Sequence, residues 1–168
     1  MSYTFKENIN PKEYQDFIQN FDTLSFMQEP EWGNVKNNWN SILCGVYKND
    51  KLVAGCQLLI RNVFRNISFI YVPRGYVLDF TNLELLSFLT DQLRKIAKRE
   101  HAYLVKIDPN LCVSETLFKD SKIEFSHFYS NNYHESHKNL LSLGYQHTGF
   151  SKEMHHTFQP RYQMAAPL

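Results

Sequence analysis

The segment from Asn82 to Ile107 restricts the fold more than any other part of the chain. Leu86, Leu89, Leu93 and Ile96 recur at helical spacing, and Arg94, Lys95, Lys98 and Arg99 fall on the wet side near the end, where cations suit the helix dipole. This helix, about 82–99, runs straight into Ala102–Ile107 (AYLVKI), a strand closed by Asp108-Pro109. A strand that follows a long helix marks a crossover, so it is expected inside a mixed sheet. Thr81-Asn82-Leu83-Glu84 reads as the capping box that starts the helix.

Upstream the hydrophobic period changes from 3.6 to 2. Asn10-Pro11 opens a short helix near 11–20 with Tyr14, Phe17 and Ile18 as its apolar stripe. A second helix begins at Glu29-Pro30 and carries Trp32, Val35, Lys36 and Trp39 at i, i+3, i+4 and i+7. Lys36 thus shares a face with two tryptophans. Residues 42–47 and 52–60 are strand-like runs joined by the hairpin turn Lys48-Asn49-Asp50-Lys51, and a third run, 67–72, stops at Pro73-Arg74-Gly75. Residues 110–134 read as a polar, irregular loop with one short helical piece around 114–120. A last helix near 135–143 ends at Gly144, and Tyr145 onward reads as a further strand.

That order (two helices, antiparallel strands, long helix, strand, helix, strand) is the order of an N-acetyltransferase-like α/β fold, with a mixed, largely antiparallel sheet flanked by helices. The 168 residues suit a single domain burying roughly 70% of its unfolded surface. Aromatic residues make up 15% of the chain, enough for a large-residue core or a ring-lined cleft, the core being the simpler account.

Charge narrows the function classes. The formal net charge is +1, so no field over the whole molecule gathers nucleic acid, and DNA is not an expected partner. Any anion must be held by a few placed cations. No apolar run approaches the roughly 20 residues of a membrane span, and MSYTFKENIN has no signal-peptide core, so a cytoplasmic protein is expected. Cys44, Cys56 and Cys112 lack paired metal spacing and read as reduced, mostly buried thiols; the adjacent His155 and His156 fit no metal pattern. No GxxxxGK[ST] or GxGxxG loop is present, nor a nucleophile elbow. The [QR]-x-x-G-x-[GA] pyrophosphate loop of acetyl-CoA transferases is missing too, which argues against acyl-CoA as donor.

The polar residues that remain lie at element ends. Lys36 is beside Trp32, Arg74 lies in the tight turn after a strand, and Tyr103 and Asp108 bracket another strand. The C-terminal end of a strand, where Asp108 lies, is where α/β sheets commonly open their clefts. Each also has a packing account: a helical Lys can snorkel, Arg74 can pair with a carbonyl, and Asp before Pro is a common turn residue.

Five segments carry a resemblance. Phe26-Met27-Gln28-Glu29-Pro30-Glu31-Trp32-Gly33-Asn34-Val35-Lys36 resembles the Q-x-x-x-W-G-x-V-K opening of the Fem family of peptidoglycan cross-bridge aminoacyltransferases. Val72-Pro73-Arg74-Gly75 is similar to that family's P-R-G turn, Lys106-Ile107-Asp108-Pro109 to its K-x-D-P strand end, and Leu143-Gly144-Tyr145 with Gln159-Pro160-Arg161-Tyr162 to its later G-[FY] and Q-P-R segments. Tyr76 departs from the pattern, standing where the family usually has a second Pro.

The resemblance implies two acetyltransferase-like halves in the whole protein, of which residues 1–168 are equivalent to the first, the second being absent. It implies transfer of an amino acid from aminoacyl-tRNA to an amine on the peptide stem of UDP-N-acetylmuramoyl-pentapeptide or its lipid-linked form. Lys36 is then expected to reach the precursor's diphosphate, Trp32, Tyr103 and Arg74 to help hold the precursor, and Asp108 to lie near the accepting amine as the catalytic candidate. No metal or diffusible cofactor is implied. Competing readings are a non-catalytic truncated or interaction module of the same fold and a small-molecule N-acyltransferase. A sheet edge left bare by a missing half would lead to self-association, to pairing with a second-half chain, or to a disordered tail after about Phe158.

Overall fold

The computed structural model describes residues 2–22, 24–111, 114–119, 122–129 and 131–149, the stretch 114–131 by its backbone only. Among these, five strands form one sheet in the order β1-β2-β3-β4-β5: β1 (Thr4–Glu7), β2 (Asn40–Lys48), β3 (Lys51–Phe64), β4 (Ile67–Val72) and β5 (Ala102–Ile107). The first four pair antiparallel in succession, whereas β5 pairs parallel to β4. The turn between β2 and β3 has two central residues, Asn49 at φ 50° and Asp50 at φ 60°, the left-handed pair that matches strand twist. Its place at 48–51 agrees with the sequence reading.

The long helix, α3 (Leu83–Arg99), makes the crossover between β4 and β5. Its Leu85, Leu86, Leu89, Leu93 and Ile96 are buried against Cys44, Val46, Ala54, Cys56, Leu58, Ile60, Ile70 and Val72, which alternate along the strands. Leu86 and Leu89 are fully buried, each contributing about 1.5–3 kcal/mol by removal from water. On the other face lies α1 (Pro11–Ile18), whose Tyr14 and Ile18 pack with Ile9, Tyr47 and Val77. Asn10 caps it, its Oδ1 accepting from the amides of Lys12 and Glu13.

Five expectations change. The helix α3 starts one residue later than a capping box at Thr81 requires: Asn82 Oδ1 accepts from the Leu85 amide, while the Thr81 amide and hydroxyl both donate to Asp79 Oδ1. The second helix, α2 (Pro30–Val35), is short; Lys36 is its C-cap and Trp39 lies beyond it, so the helical face shared by two tryptophans does not form. The strand β5 joins a mixed sheet as expected, but at its edge among the described strands rather than inside. An antiparallel strand pair, β6 (Ser114–Lys119) with β7 (Lys122–Tyr129), stands in place of a loop with a helical piece around 114–120. The segment 145–149 forms no strand. The strand β1 was not anticipated; its partner is the edge of β2.

The last helix, α4 (Asn131–Ser142), ends on Gly144 at φ +86° as read from sequence. Asn139 Nδ2 donates to the carbonyls of Phe80 and Thr81, docking α4 on the loop before α3. Tyr145 follows, its hydroxyl bonded to those of Tyr76 and Thr90. Cys112, His155, His156, the Gln159-Pro160-Arg161-Tyr162 segment and the tail after Phe158 lie outside the described residues.

Candidate functional site

The site is built around the turn that ends β4. Arg74 (φ 57°) and Gly75 (φ 74°) are both left-handed, and Gly75 donates its amide to the Val72 carbonyl at 3.0 Å. A Cβ on Gly75 would sit 2.8 Å from Pro109 Cβ, so only glycine lets the turn lie this close to the end of β5. The Arg74 amide donates to Asp108 Oδ1 at 2.7 Å, and Gln28 Nε2 donates to the Arg74 carbonyl at 3.3 Å. Three sequence segments that resemble family motifs at separate places in the chain therefore meet on one residue's backbone.

Gln28 is held in place in turn. It ends a 3-10 turn, Phe26–Gln28, where its side-chain carbonyl accepts from the Ser25 amide at 3.0 Å and the Ser25 hydroxyl accepts from the Met27 amide. From the same turn Phe26 meets Trp32 of α2 edge-on, with ring centroids 5.2 Å apart. The Lys36 ammonium stands 4.9 Å from the Trp32 ring centre, a cation–π pair that fixes its position at the helix end. Trp32 Nε1 is buried without a hydrogen-bond partner among the described residues.

Asp108 accepts from a second donor, the Tyr71 hydroxyl, at 2.8 Å. Burial pushes its carboxyl above the usual carboxylate value, and the bonds from Tyr71 and Arg74, with the Arg74 and Lys106 charges, pull the other way. Burial, with Asp108 alongside, raises the Tyr71 phenol. Lys106 stands over the Tyr71 ring at 5.9 Å. Along the same strand, Phe69 meets Trp39 at 5.9 Å and Tyr103 at 6.1 Å, and Arg61 covers Trp39. Tyr103, near the start of β5, is 63% exposed, an aromatic surface left open next to Phe69.

The structure thus brings Arg74 to Asp108 and Lys36 to Trp32, and Gln28, on the same short turn as Phe26, links the two pairs. Tyr103 lies instead on the ring series of Trp39 and Phe69. The sequence reading passed over Tyr71, Phe69 and the role of Gln28. The alternation in Ile67–Val72 held the signal for the first two, since it places Phe69 and Tyr71 on one face. Ser25-x-x-Gln28 held the signal for the third. Among the described residues no group of three or more His, Cys, Asp and Glu side chains could hold a metal, and no helix is long and apolar enough to cross a membrane.

A crossover helix on a five-stranded mixed sheet, with helices on both of its faces, defines a mixed α/β fold. Glucosamine-6-phosphate N-acetyltransferase from Arabidopsis thaliana matches 93% of this chain and 99% of its own with a TM-score of 0.53 at 12% identity, a likeness of fold alone. The crystal structure of FemX matches 96% of this chain and 36% of its own with a TM-score of 0.73 and 27% identity. In sequence the chain is 28% identical over 167 residues to the lipid II:glycine glycyltransferase of Staphylococcus aureus (strain bovine RF122 / ET3-1) and to that of Staphylococcus epidermidis (strain ATCC 12228 / FDA PCI 1200). It spans 36% of the length of each. The FemAB family pattern matches residues 9–167, and the chain belongs to the FemAB family.

Proposed function

We propose that this chain is the precursor-binding half of an aminoacyltransferase of peptidoglycan cross-bridge synthesis. The observation that carries the reading is the meeting of Gln28, Arg74 and Asp108 on one turn, beside a ring-anchored cation at Lys36. The acceptor is a muramyl-pentapeptide precursor, either the UDP-linked or the lipid-linked form, and the donor is an aminoacyl-tRNA. Lys36 takes the diphosphate as a point charge. Trp32 anchors Lys36, Tyr103 offers its open ring to the precursor, and Arg74 adds a second cation on a rigid turn.

Asp108 faces the accepting amine. Each of its carboxylate oxygens already accepts one bond and keeps a lone pair for an amine proton. Its raised proton affinity suits it to orient the amine and take its proton as nitrogen attacks the ester carbonyl. The new amide C–N bond forms, the ester C–O bond breaks, and the ribose oxygen of the tRNA leaves with a proton.

The test is calorimetric titration of the chain with UDP-N-acetylmuramoyl-pentapeptide, beside Lys36→Ala. Binding that weakens about 10-fold or more in the variant supports the reading, in line with loss of a charge-assisted contact. Equal binding by both proteins removes Lys36 from the site. Absence of binding by the folded wild type overturns the substrate-holding role of this half.

A further inference from the structure

The hairpin joining β3 to β4 projects the sequence Arg61-Asn62-Val63-Phe64-Arg65-Asn66-Ile67. Val63, Phe64 and Ile67 are 56%, 62% and 45% exposed, on a tip that no described element covers. Exposed rings and aliphatics gathered at one tip call for a partner. The charges nearby share one sign. Arg65 stands over the Phe64 ring at 5.2 Å and Arg61 over Trp39 at 5.8 Å, and residues 61–69 contain no carboxylate. Glu100, whose carbonyl accepts from Ser68 Oγ at the base of the hairpin, has its carboxylate bonded to Arg99 at 3.0 Å.

A chain of net charge +1 thus concentrates cations and apolar side chains on one short loop. That pairing suits the boundary between headgroups and acyl chains, where rings and aliphatics enter and guanidinium groups meet phosphates. A second copy of the chain fits the tip less well, because it would bring two like-charged loops together. The tip also continues into an aromatic strip, since Arg61 covers Trp39, and Trp39, Phe69 and Tyr103 follow one another in ring contact; the turn at Arg74 is at the other end of β4.

We propose that the β3–β4 hairpin docks on an anionic lipid surface through Val63, Phe64, Arg61 and Arg65. This lays the Trp39–Phe69–Tyr103 strip toward the membrane plane. It goes beyond the precursor-binding reading and rests on that reading only for its purpose, which is to bring the open ring of Tyr103 to an acceptor held by a lipid.

The experiment is flotation of the full chain with vesicles of phosphatidylglycerol and phosphatidylcholine in equal parts, and with vesicles of phosphatidylcholine alone. Neither contains a cell-wall precursor. The chain is expected to float with the anionic vesicles and to bind the neutral ones at least about 10-fold more weakly, the difference shrinking as salt is added. A Val63→Asp/Phe64→Glu variant is expected to lose binding. Arg61→Gln/Arg65→Gln is expected to weaken it and flatten the salt dependence. Circular dichroism of both variants checks that they fold. Binding that survives Lys36→Ala belongs to the hairpin and not to the precursor site. A wild-type chain that stays behind, or a Val63→Asp/Phe64→Glu variant that floats like wild type, overturns the proposal. So does sedimentation velocity showing a dimer that Phe64→Glu dissolves, with no vesicle binding.

Discussion

Asp108 Oδ1 accepts the Arg74 amide across the gap between β5 and the turn after β4. Its other oxygen accepts the Tyr71 hydroxyl, so the carboxylate ties three residues together. Asp108→Ala should therefore cost about 2–4 kcal/mol, because it leaves two donors without their acceptor. Asp108→Asn keeps an oxygen for the Arg74 amide and should cost about 1 kcal/mol. Urea denaturation of the two variants separates these outcomes, and equal stabilities would mean that Asp108 does not brace the turn.

Glycine is required at 75 for two reasons and at 144 for one. Both have positive φ, but a Cβ at 75 meets Pro109 at 2.8 Å, whereas at 144 the nearest atom is Arg94 Nη2 at 3.6 Å. Gly144→Ala is expected to cost about 1 kcal/mol and Gly75→Ala about 2–4 kcal/mol, measured by thermal melting. A larger loss at 144 would contradict this account.

Two carboxylates give stability opposite dependences on pH. The folded value of Asp108 is raised, so its folded form favours the proton, and its contribution falls as pH rises from the unfolded value to the higher folded one. Glu7 is lowered, first by its hydrogen bond from Arg99, so its contribution is present above the unfolded value and lost as pH falls through the folded one. Denaturation across about pH 3 to 6 should therefore show a steeper rise of stability with pH in Asp108→Asn than in wild type, and a shallower one in Glu7→Gln. The Glu7 effect should stay below about 1 kcal/mol, since its Arg99 partner is half exposed.

Cys44 and Cys56 face each other across β2 and β3, both fully buried. The bond shared with Cys44, together with burial, pushes the Cys56 thiol well up, so it resists forming the reactive thiolate. Alkylation followed by peptide mass mapping should label both only in denaturant. Labelling of either in the native protein would show that this part of the core opens.

Tyr103 offers a clean test of the proposed precursor-binding role. Because its ring is largely exposed, Tyr103→Ala should change stability by less than about 0.5 kcal/mol. Affinity for the UDP-linked precursor should fall about 10-fold by calorimetry, as expected for loss of one ring contact. Unchanged affinity would remove Tyr103 from the site.

Much of the fold was legible where period and length agreed. The runs at 42–47, 52–60 and 67–72 lie within β2, β3 and β4, and Leu86, Leu89, Leu93 and Ile96 proved to be the buried stripe of α3. The strand β1 was not legible, because four residues carry little pattern and pairing with β2 decides their conformation. The pairing of β6 with β7 was hidden by polar residues that break the alternation seen at Ile123-Glu124-Phe125-Ser126. In the site, Lys36, Arg74 and Asp108 could be named as polar residues at element ends. That Gln28 and Asp108 meet on Arg74 could not be read from spacing, because the contacts are made by the fold and not by local pattern.

The meeting at Arg74 also fixes an order of events. Gln28 lies 46 residues before its partner and Asp108 34 residues after, so neither bond can be made by a neighbour in sequence. Both demand closure of long loops, and the second waits for α3 to return the chain to the sheet. As the polypeptide leaves the ribosome, the hairpins of β2, β3 and β4 can assemble while the turn still lacks its carboxylate. The turn therefore becomes native only once β5 has docked beside β4, and a change that loosens α3 or β5 would reach Arg74 without touching it.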